Sequence, residues 1–206
     1  FINEIKQGPV LEQGSISSNT DGLNIPLLRL IISEPEFKTF KGFIDEKTVL
    51  FLACEQGQKD IVELLVNAKD SDGDAIIDVN FQDKQGSTPL HVAAGYGHVD
   101  VLEWLFNHGA KLDIPGNQGD TPVHFAAGYG HVDVLDCLFK HGAKLDIPDN
   151  LGNTPLHVAA LKGDTGALNV LLNYGADINV TNKEFSKPED LCPMDSDAEA
   201  VFEIQK

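Results

Sequence analysis

The residues best suited to chemistry in this chain are its histidines, its cysteines and one short acidic run. The seven histidines fall in phase: His91, His124 and His157 repeat every 33 residues, as do His98 and His131, and His108 and His141. A metal site needs several ligands converging on one point. Residues repeated in phase instead perform the same local task once per copy, so structural hydrogen bonding is the expectation and no metal ligand is assigned. Asp70-Ser71-Asp72-Gly73-Asp74 resembles the opening of a calcium loop, since alternating Asp supplies hard oxygens. However, Ala75 stands where that pattern needs glycine, and Phe81 where it needs a bidentate Glu. The ordinary reading is an acidic insert after a helix, and calcium binding stays the alternative.

Cys54, Cys137 and Cys192 are odd in number and far apart, which argues against a disulfide framework and for a reducing, cytoplasmic setting. Cys54 and Cys137 fall at positions expected to pack inside the fold, with no histidine in place to activate them. Gly95-Tyr96-Gly97 reads as a helix stop, and no phosphate cradle follows it. No catalytic residue and no cofactor is assigned.

The elements that must position these residues are short and repeated. Thr88-Pro89-Leu90-His91 recurs as Thr121-Pro122-Val123-His124 and Thr154-Pro155-Leu156-His157, and residues 83–115 match 116–148 at 25 of 33 positions. Thr88 is suited to an N-cap and Pro89 to the first helical position, where its missing N–H costs nothing. Leu90, Ala93 and Ala94 form a small apolar face, which Gly95 and Gly97 should end. A second helix follows His98, with Val101, Leu102, Leu105 and Phe106 at helical spacing and Gly109 as its left-handed stop. Trp104 reads as core. Helices this short are marginal alone, so copies must stack and bury their faces on one another.

The pattern G-x-T-P-L-H-x-A-A-x-x-G-H, then V-x-x-L, then H-G-A-x-L-D, resembles the ankyrin repeat. The resemblance implies an all-α solenoid of stacked helix-turn-helix units with β-hairpin or loop fingers and helical caps at both ends. Residues 1–42 are assigned to an N-terminal cap or leader and 43–82 to a degenerate repeat with an insert near 70–76. Residues 83–115, 116–148 and 149–181 are full repeats, and 182–206 a degenerate closing repeat. Within these, Asn24–Ile32 is a capping helix, Gly14–Asp21 a loop and Asp197–Ile204 a closing helix.

The resemblance also implies a non-catalytic scaffold that binds another protein on the concave face. The exposed finger positions would be Lys84, Gln85 and Ser87, then Asn117, Gln118 and Asp120, then Asn150, Leu151 and Asn153. The exposed ends of the first helices would be Tyr96, Tyr129 and Lys162, with the tyrosines side by side as aromatic anchors. Asp45, Lys47, Glu55 and Gln56 correspond in the preceding copy.

Composition limits the partner. With 32 acidic and 15 basic side chains, the formal net charge is -17. Nucleic acid and anionic membranes require dense Lys/Arg, so neither is expected. No apolar run approaches the roughly 18 residues of a membrane span. A monomer is expected. The chain starts at Phe1, and its single methionine is Met194, which fits an internal piece of a longer protein. The alternative function is therefore the targeting or substrate-recruitment arm of an enzyme. Lysine greatly outnumbers arginine, which is compatible with an AT-rich genome, and a bacterial effector acting in a host cytosol is a form of that alternative.

Overall fold

The computed structural model describes residues 49–69, 73, 75, 77–194 and 196–204. The capping helix expected at Asn24–Ile32, the loop at Gly14–Asp21, Asp45 and Lys47 lie outside the described residues, as do four of the residues of the acidic insert, Asp70, Ser71, Asp72 and Asp74. The described elements alternate between two layers. The inner helices are α1 (Val49–Glu55), α3 (Pro89–Tyr96), α5 (Pro122–Gly128) and α7 (Pro155–Lys162). The outer helices are α2 (Lys59–Val66), α4 (Val99–Asn107), α6 (Val132–Lys140) and α8 (Thr165–Asn173). A 3-10 turn, Pro188–Leu191, and α9 (Asp197–Glu203) close the row. Each inner helix packs on the next inner helix, each outer helix on the next outer one, and the two helices of a pair on each other.

The local sequence explains each start. Thr88, Thr121 and Thr154 sit in extended backbone before Pro89, Pro122 and Pro155, and each forms a reciprocal capping box with the histidine three residues on. Gly97 ends α3 in the left-handed conformation at φ 82°. Gly95 does not stop the helix as expected but lies inside it. An added Cβ there would come 3.2 Å from the Phe125 ring, so the next copy already occupies that space.

The core is one continuous seam. Leu90, Ala93, Ala94, Leu102 and Leu105 in one copy and Val123, Ala126, Ala127, Leu135 and Leu138 in the next are all at most 1 % exposed. Small alanines on the inner helices let neighbouring inner helices approach, and leucines of the outer helices fill the layer between. Trp104 is buried, with its ring stacked 3.6 Å from that of His108. Among the described residues no helix is long and apolar enough to cross a membrane.

Candidate functional site

The fingers between helix pairs are tight turns. Asp83 N–H donates to Ser87 C=O, and Asp149 N–H to Asn153 C=O. The Asp83 carboxylate also accepts from the backbone N–H groups of Gln85 and Ser87, as Asp149 does from Leu151 and Asn153. Successive fingertips are then laced together. Asn117 N–H donates to Gln85 C=O, Asn150 N–H to Gln118 C=O and Lys183 N–H to Leu151 C=O, at 2.8, 2.8 and 2.9 Å. The side-chain amides of Asn117 and Asn150 donate to the carbonyls of Lys84 and Asn117. Both side-chain amides thus serve the finger row.

This lacing explains the finger glycines. Gly86, Gly119 and Gly152 have φ of 77°, 79° and 83°. A Cβ on them would stand 2.7, 2.8 and 3.0 Å from the backbone nitrogens of Asn117, Asn150 and Lys183. In the last finger the same place is taken by Phe185, at φ 61° and 87 % exposed.

Two rows of histidines tie copy to copy. Thr88 N–H donates to His91 Nδ1 at 3.0 Å, which leaves Nε2 as the donor to Asp120 C=O at 3.2 Å. His124 repeats this with Asn153 C=O and His157 with Ser186 C=O. His98 and His131 bond through Nε2 to the carbonyls of Glu55 and Gly95 in the preceding copy. Burial, which disfavours the charged ring, pushes His91, His124 and His157 below the ordinary histidine value. Among the described residues no three His, Cys, Asp or Glu side chains are grouped as metal ligands.

The thiols show no activation. Burial raises Cys54 to about 12. A histidine stands beside Cys137, with His141 Nδ1 3.8 Å from its sulfur. That nitrogen also bonds Cys137 C=O at 2.9 Å, as a donor, so it is not a base for the thiol. Burial, and after it Glu103 and Asp136, hold the Cys137 thiol above its ordinary value.

The surface residues expected to meet a partner divide into several groups. Lys84, Gln85, Asn117, Gln118, Leu151, Tyr96, Tyr129 and Lys162 are exposed, and Asp120 and Asn153 are half-buried. Ser87 is a correction. It is buried, because its C=O and N–H close the finger turn and draw it under the tip. Tyr96 donates its hydroxyl to Glu55 Oε1 at 3.0 Å, which commits it to the preceding copy. Tyr129 leans over Gly95, the neighbour of Tyr96, with its Cδ2 3.8 Å from a Cβ placed there.

Gln118, Asp120, Tyr129 and Lys162 converge on one cleft of about 330 Å³ between the third and fourth helix pairs. Sequence reasoning missed its floor, which is His124, Phe125, Gly128 and Val158, and also Asp149 on its wall. The cause lies in one register position. Phe125 reaches back over the preceding copy, its ring edge-on to His91 at 5.5 Å and filling the space above Gly95. Val158, 33 residues later, covers Gly128 at the same 3.2 Å but with a branched aliphatic side chain in place of a ring, and it lines the cleft together with Phe125. The signal was present in the alignment of copies, where position 92/125/158 reads Val, Phe, Val.

Among the described residues, no hydrogen bond or ion pair reaches the Asp120 carboxylate, the Tyr129 hydroxyl or the Lys162 ammonium. Gly116 stands where the other fingers have Asp83 or Asp149, so among the described residues the Asp120 N–H has no side-chain carboxylate like the ones that accept from Ser87 and Asn153. An added Cβ on Gly116 would lie 2.9 Å from the Asp120 carboxylate.

Comparison with known proteins agrees with this architecture. A family model described as ankyrin repeats (3 copies) matches residues 17–116 and 112–182. The chain is 43 % identical over 68 residues to serine/threonine-protein kinase 12 of Arabidopsis thaliana, covering 33 % of this chain and 13 % of that protein. It is 41 % identical over 68 residues to alpha-latrocrustotoxin-Lt1a of Latrodectus tredecimguttatus, covering 33 % of this chain and 4 % of the toxin. It is 38 % identical over 68 residues to the photoreceptor ankyrin repeat protein of Homo sapiens, covering 33 % of this chain and 14 % of that protein. The matched stretch is thus a small part of each relative.

Proposed function

The chain belongs to the ankyrin-repeat family, and from that premise we propose that it is a non-catalytic scaffold holding a partner protein on the face built by its fingers and inner helices. Ankyrin repeats generally mediate protein–protein interaction, and this chain offers such a face with little to reorganise. The observation that carries the reading is the cleft, where four of the residues expected to bind meet an apolar floor. The fingers are laced to one another, and the inner helices are locked by the histidine bonds. Little ordering entropy is therefore lost on association. Tyr129 is the expected anchor, large in face and polar at its tip. Tyr96, Lys84, Gln85, Asn117, Leu151 and Asn153 form the surrounding rim.

A photo-crosslinking residue at position 129, and another at exposed Asn169 on the outer layer, test this. Capture of a protein from position 129 alone supports the reading, and equal capture from both positions contradicts it. With the captured protein as titrant, Tyr96→Ala with Tyr129→Ala should weaken binding by more than about 1 kcal/mol, roughly fivefold, without loss of fold.

The match to part of a kinase favours a second reading, in which the same face recruits substrates for a longer enzyme. A catalytic domain encoded in the same gene outside these residues supports it.

A further inference from the structure

The cleft between the third and fourth helix pairs has a chemical polarity that selects its occupant. This inference rests on the binding face described above and names what that face takes. The apolar floor, Phe125 and Val158 beside Gly128, has room for one aliphatic side chain. Asp120 and Asp149 stand at the finger end, before α5 and α7 begin. Lys162 stands at the opposite end, as the last residue of α7. An eight-residue helix spans about 12 Å, so the opposite charges lie roughly 10 Å apart along the cleft. Asp149 already accepts three hydrogen bonds within its finger, from Leu151 N–H and from the backbone and side chain of Asn153. The Asp120 carboxylate and the Lys162 ammonium have none among the described residues, and neither is paired with the other. A half-buried carboxylate left without a partner gains from any cation brought to it.

We propose that the cleft binds an extended segment of a partner protein carrying a basic residue, an aliphatic residue and an acidic residue in that spatial order. The basic side chain meets Asp120, the aliphatic one enters between Phe125 and Val158, and the acidic one meets Lys162. Extended chain rises about 3.3 Å per residue, so the two charged residues are three positions apart.

The test uses capped tetrapeptides added to the isotope-labelled chain, with amide resonances of Asp120, Gly128 and Tyr129 followed by NMR. Acetyl-Arg-Leu-Ala-Glu-amide is expected to shift these resonances saturably, with a Kd of about 1 mM. Acetyl-Glu-Leu-Ala-Glu-amide and acetyl-Arg-Ser-Ala-Glu-amide should each bind at least about fivefold more weakly. Asp120→Asn should remove most of the preference for Arg over Glu. Val158→Phe should close the cleft and abolish the shifts while its spectrum stays dispersed. Unmoved resonances at about 10 mM peptide, or equal binding of all three peptides, overturn the proposal. The crosslinking and tyrosine experiments are read out separately. If they succeed while the peptides fail to discriminate, the binding face stands and this occupant falls.

Discussion

The junction between residues 83–115 and 116–148 and the junction between 116–148 and 149–181 share a backbone plan and differ in the side chains that fill them. In the first, the Phe125 ring covers His91 and Gly95, while the Tyr96 hydroxyl points back to Glu55 in the copy before. In the second, Val158 covers Gly128 with a smaller aliphatic side chain, and among the described residues no hydrogen bond or ion pair reaches the Tyr129 hydroxyl or the Lys162 ammonium. Both junctions keep the histidine bond to the next finger, through His91 to Asp120 and His124 to Asn153. The difference teaches that one register position of a repeat can reshape the surface between copies, while the elements that hold copies together stay constant.

The largest effects should be the same at both junctions. Leu105→Ala and Leu138→Ala remove side chains that are fully buried in equivalent places, and each should lower the unfolding free energy by about 2–5 kcal/mol in urea titration. A large loss at one and none at the other would break the claim of a shared core.

Acid should act next, and again on both. His91, His124 and His157 are held neutral by burial, with values lowered from 6.5. The unfolded chain therefore takes up protons first as pH falls. Their contribution is intact above 6.5 and is lost progressively below it. Melting followed from pH 8 to 5 should show falling stability below about 6.5 in the parent chain. Replacing His124 by Gln should flatten that fall.

Much of this was legible in the sequence. The spacing of Thr88-Pro89-Leu90-His91 and its copies placed the helix starts, because a cap, a proline and a reaching histidine are all local chemistry. Burial of Cys54 and Trp104 followed from helical spacing. The cleft was not legible, since it depends on how far Phe125 and Val158 reach into a neighbouring copy, which spacing along the chain does not encode. Ser87 was misplaced for a similar reason: its turn bonds, rather than its polarity, decide its exposure. The bond from Tyr96 to Glu55 spans 41 residues and crosses the irregular insert, where the 33-residue register fails.

The finger row sharpens the comparison at a smaller scale. Gly119→Ala would place a methyl 2.8 Å from Asn150 N at positive φ and should cost more than about 1 kcal/mol. Phe185→Gly relieves the same left-handed conformation where no following finger crowds it among the described residues. It should be neutral or stabilising by up to about 1 kcal/mol in thermal melts. Equal and opposite results would mean that finger packing does not choose glycine.

The most direct measurement compares parent and Val158→Phe chains, titrated with the partner captured from position 129. Phenylalanine there reproduces the neighbouring junction, so the unfolding free energy should change by no more than about 1 kcal/mol. Affinity for the partner should fall by at least about tenfold. Full affinity in a folded Val158→Phe chain would contradict the account, because the partner would then be bound somewhere other than the cleft that Val158 lines.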